Sequence, residues 1–155
     1  MQYSIDKQGQ IYLGDTALGD RLATQAEIDA HDLAQEKQKK ISELAGICSA
    51  MCQGDFVSNA LGVDYTYPSK FPMDQFNLLT QCTDAINNPN DPAGFDTMCM
   101  SPAGVWGYVN HNAAQIKQVG DTNRTRILAI RKNYAAKVVQ IMAATTVAAV
   151  NAVIW

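Results

Sequence analysis

Residues 54–79 read GDFVSNALGVDYTYPSKFPMDQFNLL. Their order decides the fold, because long helical patterns lie on either side. Phe56 and Val57 sit where the preceding helix should end. Ser58 and Asn59 favour helix ends and turns, since their side chains bond the local backbone. Gly62 closes the turn, and it adopts positive φ without steric cost. Val63 to Tyr67 alternates apolar or aromatic with polar residues, the period of a half-buried strand. Pro68 donates no amide and biases Tyr67 toward an extended backbone. Pro72 precedes Met73-Asp74-Gln75, a good helix start, and predicts a second helix from about Met73 to Asn87. Phe76, Leu79, Thr83 and Ile86 form its apolar stripe, with Cys82 alongside.

Upstream, Thr24-Gln25-Ala26-Glu27 is a capping box. It opens a helix carried to about Gln53, with an apolar stripe of Ile41, Leu44, Cys48 and Met51. Its first half, through Glu36-Lys37-Gln38-Lys39-Lys40, is polar nearly all round. A helix that polar is solvated, a spacer, or part of an assembly. Gln2 to Leu13 reads as a hairpin turning at Asp6–Gly9, and residues 14–22 as a linker. A lone two-stranded hairpin is marginal in water. It therefore asks for a partner, and its strand edge can extend a neighbouring sheet. Tyr3, Ile5, Ile11, Tyr12 and Leu13 are the candidate interface residues. This divides the chain into a partner-docking hairpin and linker at 1–22 and a helical domain at 23–155.

Downstream, residues 87–94 give a strong loop signal. Its oxygen side chains lack the spacing and the later Glu of a calcium loop. Asp96–Met100 and Val105–Val109 predict two short strands, which with Val63–Tyr67 make a three-stranded antiparallel sheet. Trp106 and Tyr108 share a face if extended. The plain reading has Trp106 anchoring the sheet to the helices; the sharper one has it stacking on a ligand such as a glycan. Asn112-Ala113-Ala114-Gln115 opens a short helix ending near Gly120, and Asp121 caps a last long one with stripe Ile127, Ile130, Tyr134, Val138 and Ile141. Thr145 or Thr146 breaks that helix. A final short one then turns Val147, Val150, Val153 and Ile154 inward, with Trp155 as a plug.

The chain of 155 residues is long enough for a real core. Its 47% apolar and 17% charged residues are those of a folded protein. A net charge of −3 argues against general nucleic-acid binding, which needs concentrated basic surface. The basic residues Arg124, Arg126, Arg131, Lys132 and Lys137 read as a solvated helix face. The opening residues lack the apolar run of a signal peptide, and no apolar stretch of about 20 residues could span a membrane. The expectation is synthesis in the cytoplasm without membrane insertion. Cys48 and Cys52 share a helix face, but Cys82 and Cys99 are too far apart to complete a zinc site of ordinary spacing. Buried free thiols, or disulfides formed in an oxidising medium, both fit Cys48, Cys52, Cys82 and Cys99. His31 reads as exposed, and His111, beside a helix start, as capping it or bonding locally. Neither G-x-S-x-G, H-E-x-x-H nor a phosphate-binding glycine loop occurs. The chain carries no catalytic, metal or cofactor motif, and the expectation is that it is not an enzyme.

Phe56-x-Ser58-x-Ala60-Leu61-Gly62, then Tyr65 and Tyr67, then Asp74-Gln75-x-Asn77-Leu78, resembles a module of bacteriophage tail-fibre and tail-associated proteins, a domain of unknown function. His111-Asn112-Ala113-Ala114-Gln115-Ile116-x-Gln118-Val119, then Ala143-Ala144-Thr145-Thr146-Val147 and Trp155, is similar to the end of that module. The resemblance covers roughly Ala26 to Trp155 and contains no chemical motif. It implies a virion-tail context and contacts with other phage tail proteins of the fibre or baseplate. Taken together, the readings give an α+β, mainly α fold. In it the long helices pack as a helical hairpin or small bundle, with a small antiparallel sheet and an N-terminal β-hairpin. They imply a non-enzymatic structural or adaptor component in a homo- or hetero-oligomer. The alternatives are an assembly chaperone absent from the mature virion and a receptor- or glycan-binding module.

Overall fold

The computed structural model describes residues 2–155. The order of elements is β1 (Tyr3–Ile5), β2 (Ile11–Leu13), β3 (Arg21–Leu22), α1 (Gln25–Cys52), β4 (Phe56–Ser58), β5 (Tyr65–Tyr67), α2 (Pro72–Asn87), β6 (Phe95–Met100), β7 (Trp106–His111), α3 (Ala113–Ala143) and α4 (Val147–Asn151). The strands make two antiparallel sheets, ordered β2-β1-β3 and β4-β5-β6-β7.

This corrects the expected fold class. Helix takes 52% of the chain and strand 17%, so the fold is broadly α+β rather than a mainly helical bundle with one small sheet. The closest main-chain approaches between elements run strand to strand, with α2 against β6. Two strands escape a periodicity reading because they are so short. β3 is two residues inside the supposed linker, and β4 is three residues at the end of a helical pattern. Because β3 pairs with β1, the N-terminal hairpin is not alone: β1 is the central strand of a sheet.

The chain divides into two compact units, residues 1–46 with 134–155, and residues 47–133. In the first, Ser4, Ile5, Leu44, Ile141 and Val150 are buried. Thr24 and Glu27 form the expected capping box, Glu27 accepting from the Thr24 N–H at 2.9 Å. Arg21 of β3 also donates to Glu27, and that bond, with those from Thr24, holds the Glu27 carboxyl down at about 2. Thr146 caps α4 through the Ala149 N–H. Of the residues expected to turn inward there, only Val150 is buried; Val147 and Ile154 are exposed, and Val153 and Trp155 half-buried.

In the second unit the four-stranded sheet lays Phe56, Tyr67, Phe95 and Cys99 against Leu78 and Ala85 of α2 and Ala113, Ile116 and Val119 of α3. Ser101 to Val105 is a tight hairpin, with Gly104 at φ 78° where a side chain would be strained. α3 starts as expected, with Asn112 and Gln115 exchanging side-chain to main-chain bonds at 2.9 and 2.8 Å. It does not stop at Gly120, however, and runs unbroken to Ala143. Gly120 is inside the helix because α2 passes close by. A Cβ there would lie 2.6 Å from Cys82 Sγ.

That contact gives a sign reversal to test. Ala normally stabilises a helix interior over Gly by about 1 kcal/mol. Gly120→Ala is instead expected to destabilise, by about 1–2 kcal/mol, because overpacking outweighs propensity. Adding Cys82→Ala removes the obstruction and should restore stability to the level of Cys82→Ala alone or above it, measured by urea denaturation of all four variants.

Candidate protein-interaction surfaces

The centre of the second unit is polar where the sequence suggests only packing. Tyr67 and His111 are both fully buried and their side chains meet at 2.8 Å. His111 Nδ1 lies 2.8 Å from the Val109 carbonyl, which can only accept. Nδ1 therefore carries the proton, and Nε2 accepts from the Tyr67 hydroxyl. Phe56 stacks on Tyr67 with ring centroids 5.6 Å apart. Burial pushes the Tyr67 hydroxyl well above its ordinary range. Burial also pushes His111 below the ordinary 6.5, outweighing the Val109 carbonyl that favours the charged ring. His111 is thus a core residue, which bonds locally to Val109 as one of its two expected roles but does not cap α3. His31, read as exposed, is half-buried.

Arg126 also has a structural task. Its guanidinium donates to the carbonyls of Met51 at 2.9 Å and Cys52 at 3.1 Å, and lies over the Phe56 ring. α1 has no basic residue in its last turn, so Arg126 supplies the missing cation to its orphan carbonyls. One member of the basic run is therefore a helix cap.

The expected interface residues have mixed fates. Ile5 is buried, Tyr3, Ile11 and Tyr12 are half-buried, and Leu13 is exposed. The Tyr12 hydroxyl donates to Asp20 at 2.7 Å and accepts from the Ala17 N–H, tying down the 14–20 loop. The four cysteines are free thiols; Cys48 and Cys99 are buried, Cys52 and Cys82 half-buried. Burial pushes the thiols of Cys48, Cys82 and Cys99 up, away from reactive thiolate. Among the described residues no three metal-ligating side chains converge, and no helix is long and apolar enough to cross a membrane.

Two exposed surfaces stand out. The first is the outer side of α2. Phe76, Leu79 and Ile86 are 61%, 63% and 65% exposed, and Met73 in the first turn and Phe71 at the N-cap extend the stripe. The residues that face the core are Leu78 and Ala85, with Cys82 half-buried against them. The stripe read as core-facing thus points to solvent, because α2 is apolar on two sides and its bulkier side is the outer one. The second surface is the outer face of the four-stranded sheet. Trp106 is 44% and Tyr108 72% exposed, with Val57 on the same face. Trp106 does not anchor the sheet; Tyr67, Phe95, Cys99 and His111 do. Neither surface could be found from period alone, since a two-sided helix and an exposed aromatic strand carry the same signal as buried ones.

A cleft of about 270 Å³ lies between α2 and β6, lined by Asp74, Asn77, Leu78 and Gln81 on one wall and by Asp96, Thr97 and Met98 on the other. Comparison with protein-family models, with curated proteins and with solved structures returned no match. The phage-tail resemblance therefore rests on the spaced residues themselves.

The buried imidazole sets a pH dependence. The unfolded chain takes up a proton near pH 6.5 that folded His111 refuses. Its stability contribution is full above that value and is lost as the pH falls below it, at up to about 1.4 kcal/mol per pH unit. Thermal unfolding between about pH 7.5 and 5.5 is expected to show a falling midpoint. His111→Gln should flatten that slope while lowering stability throughout by roughly 1–3 kcal/mol, the cost of disturbing a buried bonded pair.

Proposed function

We propose that the chain is a non-enzymatic structural or adaptor component of a bacteriophage tail, acting through protein–protein contacts in the fibre or baseplate region. The observation that carries the contact role is the outward stripe of α2. Phe71, Met73, Phe76, Leu79 and Ile86 form a contiguous run of large apolar side chains, each more than half exposed. Contiguous apolar surface of this kind marks a site of association, whereas scattered exposed residues need no explanation. Stripe residues at spacings of three and seven suit a helix lying in a partner's groove, or receiving a partner's helix. The tail context comes from the resemblance over roughly Ala26 to Trp155. Virion-tail localisation and partners among other tail proteins follow from that context, with the chain in a homo- or hetero-oligomer.

Mass spectrometry of purified particles tests the reading. The chain is expected at constant stoichiometry with the other tail proteins. Phe76→Lys combined with Ile86→Lys should reduce its incorporation at least tenfold. Because both side chains are exposed, unfolding stability should change by no more than about 0.5 kcal/mol. Abundance in the lysate with absence from particles would replace the structural role with that of an assembly chaperone. Full incorporation of the double variant would remove α2 from the interface.

A further inference from the structure

The cleft beside β6 is formed by an interrupted sheet. β6 pairs with β7 along its whole length, from Phe95↔His111 to Met100↔Trp106. On its other side it meets β5 only at Thr66↔Met100, because Pro68 and the turn that follows lead the chain away to α2. The Ser101 N–H bonds the Val105 carbonyl at 2.9 Å, which fixes the alternation of the β6–β7 ladder. Odd-numbered residues of β6 aim their main-chain groups at β7, and Asp96, Met98 and Met100 aim theirs the other way. Met100 finds β5. The N–H and C=O groups of Asp96 and Met98 have no main-chain partner among the described residues. Both residues line the cleft. Thr97, between them, also lines it, and is nine-tenths buried with Oγ1 lacking any partner. A buried hydroxyl left unbonded is destabilising, and a bound donor or acceptor would recover that loss.

The charge around this edge is one-sided. Asp74 and Asp96 flank the cleft, and no Lys or Arg is among its lining residues. Each carboxylate uses one oxygen locally, Asp74 Oδ2 for the Phe71 N–H and Asp96 Oδ1 for Asn110, and the other has no hydrogen-bond partner among the described residues. The volume, near the lower end of the roughly 300–1,000 Å³ of small-ligand pockets, admits a few residues of extended chain and not a folded domain.

We propose that the cleft between α2 and β6 takes an extended segment of a partner chain, bearing a Lys or Arg, as an added strand on Asp96 and Met98. The segment occupies the place that β5 vacates after Tyr67. Its main chain bonds the free groups of Asp96 and Met98, a hydroxyl or amide group meets Thr97 Oγ1, and its cation lies between Asp74 and Asp96. This deepens the reading of the chain as a protein-contact component by naming one of its contacts.

The test is a titration of ¹⁵N-labelled full-length protein with a capped peptide of alternating Thr and Val around a central Lys. The amides of Asp96 and Met98 are expected to shift at millimolar peptide, and a copy N-methylated on alternate amides should leave them in place. Replacing the Lys with Glu should weaken binding at least fivefold. Thr97→Val should weaken it about tenfold while leaving thermal stability equal to or above that of the native chain, because an unbonded hydroxyl is removed without loss of shape. No shift at Asp96 and Met98, or equal binding of the N-methylated copy, overturns the proposal. If that happens while the α2 variant still blocks incorporation, the assembly role stands and only the cleft is discarded.

Discussion

The bond from the Tyr67 hydroxyl to His111 Nε2 is the constraint on which the second unit depends. Both groups are fully buried, so neither can exchange its partner for water. The two residues belong to β5 and β7, which are not neighbours in the sheet, and the bond spans the intervening β6 on its inner face. The apolar groups beside it, Phe56, Phe95 and Cys99, would tolerate a shifted packing with modest loss. The polar pair tolerates none, because slipping either strand by one residue turns its member of the pair to the other face and leaves the remaining group unbonded in the core. Hydrophobic burial drives this unit together, while the tyrosine–histidine bond selects one register among the compact arrangements available.

Local chemistry was the legible part of the chain. The Thr24/Glu27 capping box, the Asn112/Gln115 cap, the Thr146 cap and the turn at Gly62 all occur where their residues predict. Each depends on side chains within four residues of one another, so sequence contains the whole interaction. The misses share the opposite property. Gly120 looks like a helix end until Cys82, from another helix, is seen against it. His111 looks like a cap until Tyr67 arrives from 44 residues away. Arg126 looks like a solvated cation until the last carbonyls of α1 are placed beside it. β4 has three residues and becomes a strand only because β5 pairs with it.

α2 is the instructive case, because both of its faces satisfy a helical period. Phe76, Leu79 and Ile86 are together bulkier than Leu78, Cys82 and Ala85, so any rule that sends the bulkier stripe inward chooses wrongly. The physical reason for small residues inside is distance. Ala85 faces Phe95, Cys99 and the residues of α3 in the core, and Cys82 touches Gly120. At Cys82 and Ala85 a helix held that near its neighbours has room only for small side chains. The bulk left on the outer side is then surface in the isolated chain. A candidate interaction site was therefore written in the sequence but assigned to the core.

Exposed apolar surface and an unpaired strand edge are liabilities in water, and the chain handles the two differently. The apolar side of α2 is left open. The gap in the sheet is guarded: it is only two residues long, walled by α2, and bracketed by Asp74 and Asp96. Short length and inward charge are the devices by which natural sheets refuse unselected strands. A guard that rejects most strands by charge still admits one that carries the opposite charge. The same two carboxylates that protect the edge against indiscriminate pairing thereby set what can occupy it, and specificity arises from the protection itself.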